Sequence, residues 1–161
     1  MLDAESLAEM LIRKGETSVT TMPADQRMAF LSEARVGVLA VEWGDRAPLS
    51  VPVWYDYEPG GDVVVWTYAD SVKHTQIRAA GRFSLTVQEE VLPYRFVAVQ
   101  GPVTSIEPAT RERVHQMAAR YLSEKGARVY AENDYVEASV IIRMRPERWL
   151  SGVFLDSDRY R

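Results

Sequence analysis

The chain has 161 residues, 47% hydrophobic and 26% charged, which fits one globular domain and excludes disordered, collagen-like and membrane-spanning compositions. Lys plus Arg number 19 against 23 Asp plus Glu, a net charge of −4 that is the wrong sign for a dedicated nucleic-acid binder. With no cysteine and only His74 and His115, thiolate nucleophiles, iron–sulfur clusters and three-histidine metal sites are excluded, so no metal site is expected.

Residues 2–14 carry Leu7, Met10 and Leu11 at helical spacing behind an Asp3 cap, and Gly15 stops them. An acidic N-terminus and the absence of an apolar run near ~18 residues argue against a signal peptide or a membrane span, so a cytoplasmic location is expected. Residues 17–21 read as loop, and Pro23 opens a helix with Met28, Phe30 and Leu31 on its apolar side. Val36–Glu42 reads as a strand, Gly44-Asp45 as a hairpin turn, and Pro48–Tyr57 as a second strand. A turn at Pro59-Gly60-Gly61 leads to a third strand over Asp62–Thr67, so three adjacent strands in a meander are expected.

A short helix follows over Asp70–Ala80, stopped by Gly81, then strands at Arg82–Gln88 and Arg95–Glu107 with a bend at Gly101-Pro102. Val114, Met117, Ala118, Tyr121 and Leu122 mark one helix over 109–126 that Gly126 terminates, with His115 solvated beside its apolar stripe. A last strand spans about Ala138–Trp149. Strands, short helix, strands, helix, strand is the order of an antiparallel barrel with peripheral helices.

The chain has no Walker or dinucleotide glycine pattern and no Gly-x-Ser-x-Gly elbow. The informative segment is Trp66–Ile77, where a strand end runs into a helix. Exposed N–H groups at such a helix start, assisted by Ser71, suit an anion. Lys73 lies in the first turn, where the helix dipole disfavours a cation, which points to an anion nearby. It shares a row with Ile77 and Ala80, which turns it partly inward, whereas His74 is expected to point outward. The alternative is an Asp70 cap paired with Lys73 on a solvated surface. Trp54, Tyr55, Tyr57, Trp66 and Tyr68 either wall a planar ligand or belong to strand packing.

Five segments in order, Phe30–Leu39, Pro48–Trp54, Asp70-Ser-Val-Lys73, Gly81–Val87 and Pro93–Gly101, resemble the pyridoxamine 5′-phosphate oxidase-like superfamily, and within it the flavin/deazaflavin oxidoreductases. The resemblance implies a mainly β fold with peripheral helices, a six-stranded antiparallel split β-barrel that binds FMN. It implies a homodimer with the cofactor at the subunit interface, FMN first and the deazaflavin F420 second. Residues 1–20 would be a helical extension, 21–155 the flavin-binding domain and 156–161 a tail.

Carried over one at a time, Val51, Pro52, Val53 and Trp54 match the strand beside the cofactor ring and ribityl chain, and Thr67 a strand end close to it. Ser71, Val72 and Lys73 match the phosphate-binding turn. Arg95 matches an arginine that reaches the cofactor of the partner subunit. The C-terminal substrate signature of the vitamin B6 oxidases is missing, and Phe96 stands where they have a polar residue. The implied function is hydride transfer between the cofactor and a small planar or unsaturated organic substrate, with no acid or base side chain assigned. The competing expectation is a non-catalytic flavin- or haem-binding module.

Overall fold

The computed structural model describes residues 19–154. The expected helix over 2–14 and the tail at 156–161 lie outside them. Among the described residues nine strands form one curled antiparallel sheet, accompanied by four helices. Among the described residues no helix is long and apolar enough to cross a membrane.

The strand β1 (Val19–Thr20) falls in the stretch expected to be loop and pairs with Val153 and Phe154. The helix α1 (Ala24–Ser32) starts at Pro23, whose carbonyl accepts the Arg27 N–H at 3.0 Å. β2 (Gly37–Trp43) and β3 (Arg46–Val53) form a hairpin around Gly44, whose φ of 53° suits only a residue without a Cβ. Burial alternates along β2, so Leu39 and Val41 point into the barrel while Val38, Ala40 and Glu42 face outward.

The predicted strand over Pro48–Tyr57 is broken at Trp54. Its first part is β3, and its second, β4 (Tyr55–Asp56), belongs to the other half of the sheet and pairs with β5 (Val63–Tyr68). The expected three-strand meander is therefore two hairpins joined at Trp54.

Helix α2 (Val72–Ala80) ends at Gly81 in the left-handed conformation, and β6 (Arg82–Gln88) then returns alongside β2. β7 (Arg95–Pro108) serves both halves of the sheet. It pairs with β6 as far as Pro102, and beyond an irregularity between Val103 and Ser105 it continues with β8 (Ser139–Met144). The expected bend at Gly101-Pro102 thus marks the crossover. The carbonyl of Arg145 would lie 1.7 Å from a Cβ at Gly101, so only glycine lets the chain after β8 cross there.

The last strand expected over about Ala138–Trp149 is broken at Pro146: β8 ends at Met144, and a further strand, β9 (Arg148–Phe154), pairs with β7. Short β1, short β4 and unexpected β9 raise the strand count above the six that the resemblance implied.

The single helix expected over 109–126 is two: α3 (Arg111–Ala118) and α4 (Glu124–Asp134). Gly126 does not end a helix. It sits in the first turn of α4, its N–H held by the Ser123 hydroxyl at 3.2 Å. His115 faces Glu124 across this turn, Nε2 to Oε1 3.4 Å.

The main core fills the barrel with Leu39, Val65, Leu85, Val97, Ile142 and Met144, and Phe30, Leu31 and Ile77 close it from the helices. A smaller core, built from Val64, Val114, Met117, Ala131 and Ile141, lies between the outer face of β5–β8 and the α3–α4 pair. Trp66, two residues along β5 from Val64, points to that same outer layer.

Candidate cofactor site

The end of β5 and the start of α2 form a hydrogen-bonded corner. Thr67, buried by strand alternation, has its hydroxyl 3.0 Å from that of Ser71, which caps α2 by accepting the His74 N–H at 3.2 Å. The N–H groups of Val72 and Lys73 belong to the first turn, which has no intrahelical acceptors for them. Ser71, not Asp70, is the cap. Asp70 is exposed and forms no ion pair with Lys73.

His74 is 6% exposed, not outward-facing as expected. Its position in the first turn puts it on the inner row with Ile77, and Nδ1 donates to the Ala69 carbonyl at 2.6 Å. The buried Nε2 has no partner.

Lys73 is half-buried, and desolvation holds its ammonium below the ordinary lysine value. It makes no hydrogen bond or ion pair among the described residues. It lines a cleft of about 300 Å³ together with Val36, Pro52, Val53, Trp54 and Trp66. On the far side the cleft is walled by Val114, Met117 and Ala118 of α3 and by Tyr130 of α4. Among the described residues Lys73 is the only cation in this lining, and no carboxylate or histidine joins it.

The walls are fixed by aromatic stacking and by a polar network. The Trp54 ring lies parallel to Tyr121 at 4.8 Å and meets Tyr130 at 5.2 Å, and Tyr130 meets Trp66 edge-on at 5.8 Å. The Tyr121 hydroxyl accepts the Tyr55 N–H at 3.0 Å and lies 2.8 Å from the Tyr55 carbonyl and 3.0 Å from that of Arg35. Asp56 takes Arg113 on one oxygen and Arg120 on the other, each at 3.1 Å, and Arg120 also donates to the Ser32 carbonyl. These bonds tie α3 and the turn after it to Tyr55 and Asp56, just past Trp54, and to the segment that leads into Val36.

Among the described residues Tyr130 has no hydrogen-bond partner. Burial first, then the Asp134 carboxylate and Tyr68, push its phenol up to about 12, so it remains a donor at neutral pH.

The structure therefore brings Pro52, Val53, Trp54 and Lys73 to one cleft, whereas Thr67 and Ser71 bond to each other next to Lys73 in sequence but outside the lining. Val72 is 51% exposed on the same turn. Val51 packs against the barrel core. Arg95 lies outside this lining, with Nε 2.6 Å from Glu89 Oε2 and its guanidinium 4.9 Å from the Phe30 ring centroid.

Of the aromatic cluster, Trp54 and Trp66 reach the cleft, whereas Tyr55 and Tyr57 are core. Tyr130 lies beyond Gly126, where the sequence predicts the end of a helix and assigns no further element before Ala138. Ser123 three residues before Gly126 was the signal that a new helix begins.

Comparison with solved structures shows the same fold in proteins of the split-barrel type. An F420 reductase shares 23% identity over 75% of this chain and 93% of its own, with a TM-score of 0.61. An FAD-binding protein from Mesorhizobium loti shares 25% identity over 86% of this chain and 97% of its own, with a TM-score of 0.59. A heme binding protein from Mycobacterium smegmatis shares 16% identity over 81% of this chain and 54% of its own, with a TM-score of 0.57. No curated protein matches the chain. The sequence profile of the family described as pyridoxamine 5′-phosphate oxidase matches residues 23–150, and with the split-barrel fold this establishes that the chain belongs to that family.

Proposed function

We propose that the chain is a flavin-dependent oxidoreductase that anchors the phosphate of its cofactor at the Lys73 corner. FMN is the first choice and F420 the second. The observation that carries this reading is Lys73 itself: a half-buried ammonium without a carboxylate, beside a helix start that still has N–H groups to offer. An unpaired cation held in a desolvated cleft is unfavourable until an anion joins it. The residues present thus fit a phosphate-bearing group.

A bound flavin supplies hydride exchange with a small planar or unsaturated organic substrate. The chain supplies the rest. Lys73 neutralises the phosphate, the Ser71 cap fixes the first turn, and Pro52–Trp54 form the wall along which the cofactor extends. The absence of the vitamin B6 oxidase signature argues for a different substrate.

A homodimer completes the reading. Val36 and Val38 are 56% and 45% exposed on the outer face, where Val38 pairs with Pro52 and Thr86, a small apolar surface suited to a second copy. Arg95 would then serve the partner's site.

The absorption spectrum and mass of the molecule that co-purifies from a host making both FMN and F420 test the reading. A flavin spectrum supports it; colourless protein that stays colourless after incubation with either cofactor defeats it. Because no histidine or carboxylate among the described residues lines the cleft, a non-catalytic flavin or haem carrier is the second reading. Stopped-flow mixing separates the two: cofactor that neither NAD(P)H nor a reduced-F420 system reduces, and that no acceptor reoxidises, leaves the carrier.

A further inference from the structure

Resting on the phosphate anchor at Lys73, we propose that His74 is the positioning residue of that anchor and works only while its ring is neutral, so that acid opens the corner and releases the bound phosphate group.

His74 closes the corner with two of its groups. Its backbone N–H donates to the Ser71 hydroxyl at 3.2 Å, and that hydroxyl lies 3.0 Å from the one of Thr67. Its ring Nδ1 lies 2.6 Å from the Ala69 carbonyl, which can only accept, so Nδ1 carries the proton and Nε2 is left as a bare lone pair. Ala69 is fixed in turn, its N–H donating to the Ala138 carbonyl at 2.8 Å. One residue thereby ties the first turn of α2, with Lys73 in it, to the end of β5.

A proton on Nε2 finds nothing to hold it. Nε2 is buried and has no partner among the described residues. Helix α2 packs on β2, β5 and β6, whose inward side chains are apolar core residues and Thr67, with no ionisable group among them. The charged residues of those strands, Glu42 and Arg82, pair with each other on the outer face. On α2 itself the neighbours are two cations, Lys73 in the preceding position and Arg78 one turn on, and Asp70 before the helix is exposed and makes no bond to the ring. The first turn also presents the positive end of the helix dipole. A protonated ring is then a buried cation without acceptor or counter-charge, and swinging it out to water relieves this at the expense of the Ala69 bond. Lys73 and the first-turn N–H groups lose their fixed arrangement, and the anion leaves.

Two measurements on the full-length chain test the proposal. In the first, FMN affinity is read by flavin fluorescence at about pH 7.5 and about pH 5.5, across the interval in which imidazoles change charge. The FMN phosphate takes up a proton of its own near pH ~6, so the wild type is compared with His74→Asn, whose side-chain N–H stands in for Nδ1 but does not titrate. The two should bind alike at the higher pH, and the wild type should lose about fivefold or more beyond the loss in His74→Asn at the lower. His74→Phe, which fills the space without a donor, should bind weakly at both. Equal pH dependence in wild type and His74→Asn, or His74→Asn binding no better than His74→Phe, would overturn the proposal.

In the second, the ring and amide NMR signals of the apo chain are followed over the same interval. His74 and His115 are the two histidines, and His115→Gln tells their signals apart. The His74 proton is expected on Nδ1 at the higher pH, and the amides of residues 67–73 should shift together as the ring takes up its second proton. A neutral ring with its proton on Nε2, or a ring that is protonated while those amides stay still, refutes the proposal even if His74→Asn does not fold. FMN bound by no chain at either pH removes the phosphate anchor itself, an outcome distinct from FMN binding that ignores His74.

Discussion

Replacing Lys73 with methionine separates its cost to the fold from its use in binding. The side chain keeps an unbranched apolar stem, one atom shorter, but loses the ammonium, which has no partner among the described residues of the cleft. A hydrogen bond to a charged group contributes about 1.5–3 kcal/mol. At 1.4 kcal/mol per tenfold, Lys73→Met should weaken cofactor binding by about 10- to 150-fold. The apo chain should not lose stability and should gain some, because burial disfavours the charged form.

The pH dependence has a defined sign. Burial lowers the Lys73 pKa in the folded state below its ordinary value of 10.5. The destabilising contribution is therefore full below the folded pKa and fades as pH rises towards 10.5. The stability advantage of the methionine variant should shrink across that window, and binding of an anion should draw the lysine pKa back up. Cofactor titration and thermal unfolding of both apo chains measure the two halves. Unchanged cofactor affinity would return Lys73 to an ordinary surface role, and an apo variant clearly less stable than the parent would mean that Lys73 supports the fold.

Gly101→Ala should cost about 3 kcal/mol or more in urea unfolding, because its Cβ would lie 1.7 Å from the Arg145 carbonyl; a loss below about 1 kcal/mol would mean the 145–147 turn can move aside. Asp56→Ala strands both Arg113 and Arg120, and since all three side chains are partly exposed the expected loss is about 1–3 kcal/mol, with weaker cofactor binding as α3 loosens. Normal stability in that variant would show the clamp to be idle. Tyr55→Phe removes a buried hydroxyl that reaches the Leu31 carbonyl at 2.7 Å and the Glu33 carbonyl at 3.1 Å, and should cost about 1–2 kcal/mol by denaturant titration; no loss would mean that water replaces it.

Where an element answers to its own residues, the sequence announces it. Alternation in Val36–Glu42 and Arg82–Gln88 appears as β2 and β6, Pro23 opens α1, and Ser71 and Gly81 bracket α2. Lys73 is legible for the same reason, since the helical row it shares with Ile77 is a local property. What the sequence conceals depends on tertiary partners. Val114 to Leu122 has the spacing of one helix, yet Arg120 and Tyr121 bind the carbonyls of Ser32, Arg35 and Tyr55, and the chain turns there. His74 appears polar and outward until the Ala69 carbonyl gives its ring a buried acceptor. β9 is hidden behind Pro146, because the chain resumes a strand only by crossing over Gly101. Tyr130 stays hidden because Gly126 has the look of a helix stop, whereas it lies in the first turn of α4.

The position of the cleft follows from how the sheet fails to close. In the hydrogen-bonded path, β3 stands at one end and β4 at the other, yet they are consecutive in sequence with only Trp54 between them. The barrel is thus joined at this seam by the chain itself and not by a ladder of hydrogen bonds. A side chain at the seam cannot alternate inward or outward as in a strand, and Trp54 instead lies against Tyr121 of the α3–α4 layer. Pro52, just before the seam, sits on the outer face, and Lys73 of α2 and Trp66 of β5 approach the same gap. A closed barrel would have filled that space with core side chains. Because closure is left to one residue and a clamp on Asp56, the site depends on α3 holding its place, and Asp56→Ala should disturb ligand binding at Lys73 although Asp56 does not line the cleft.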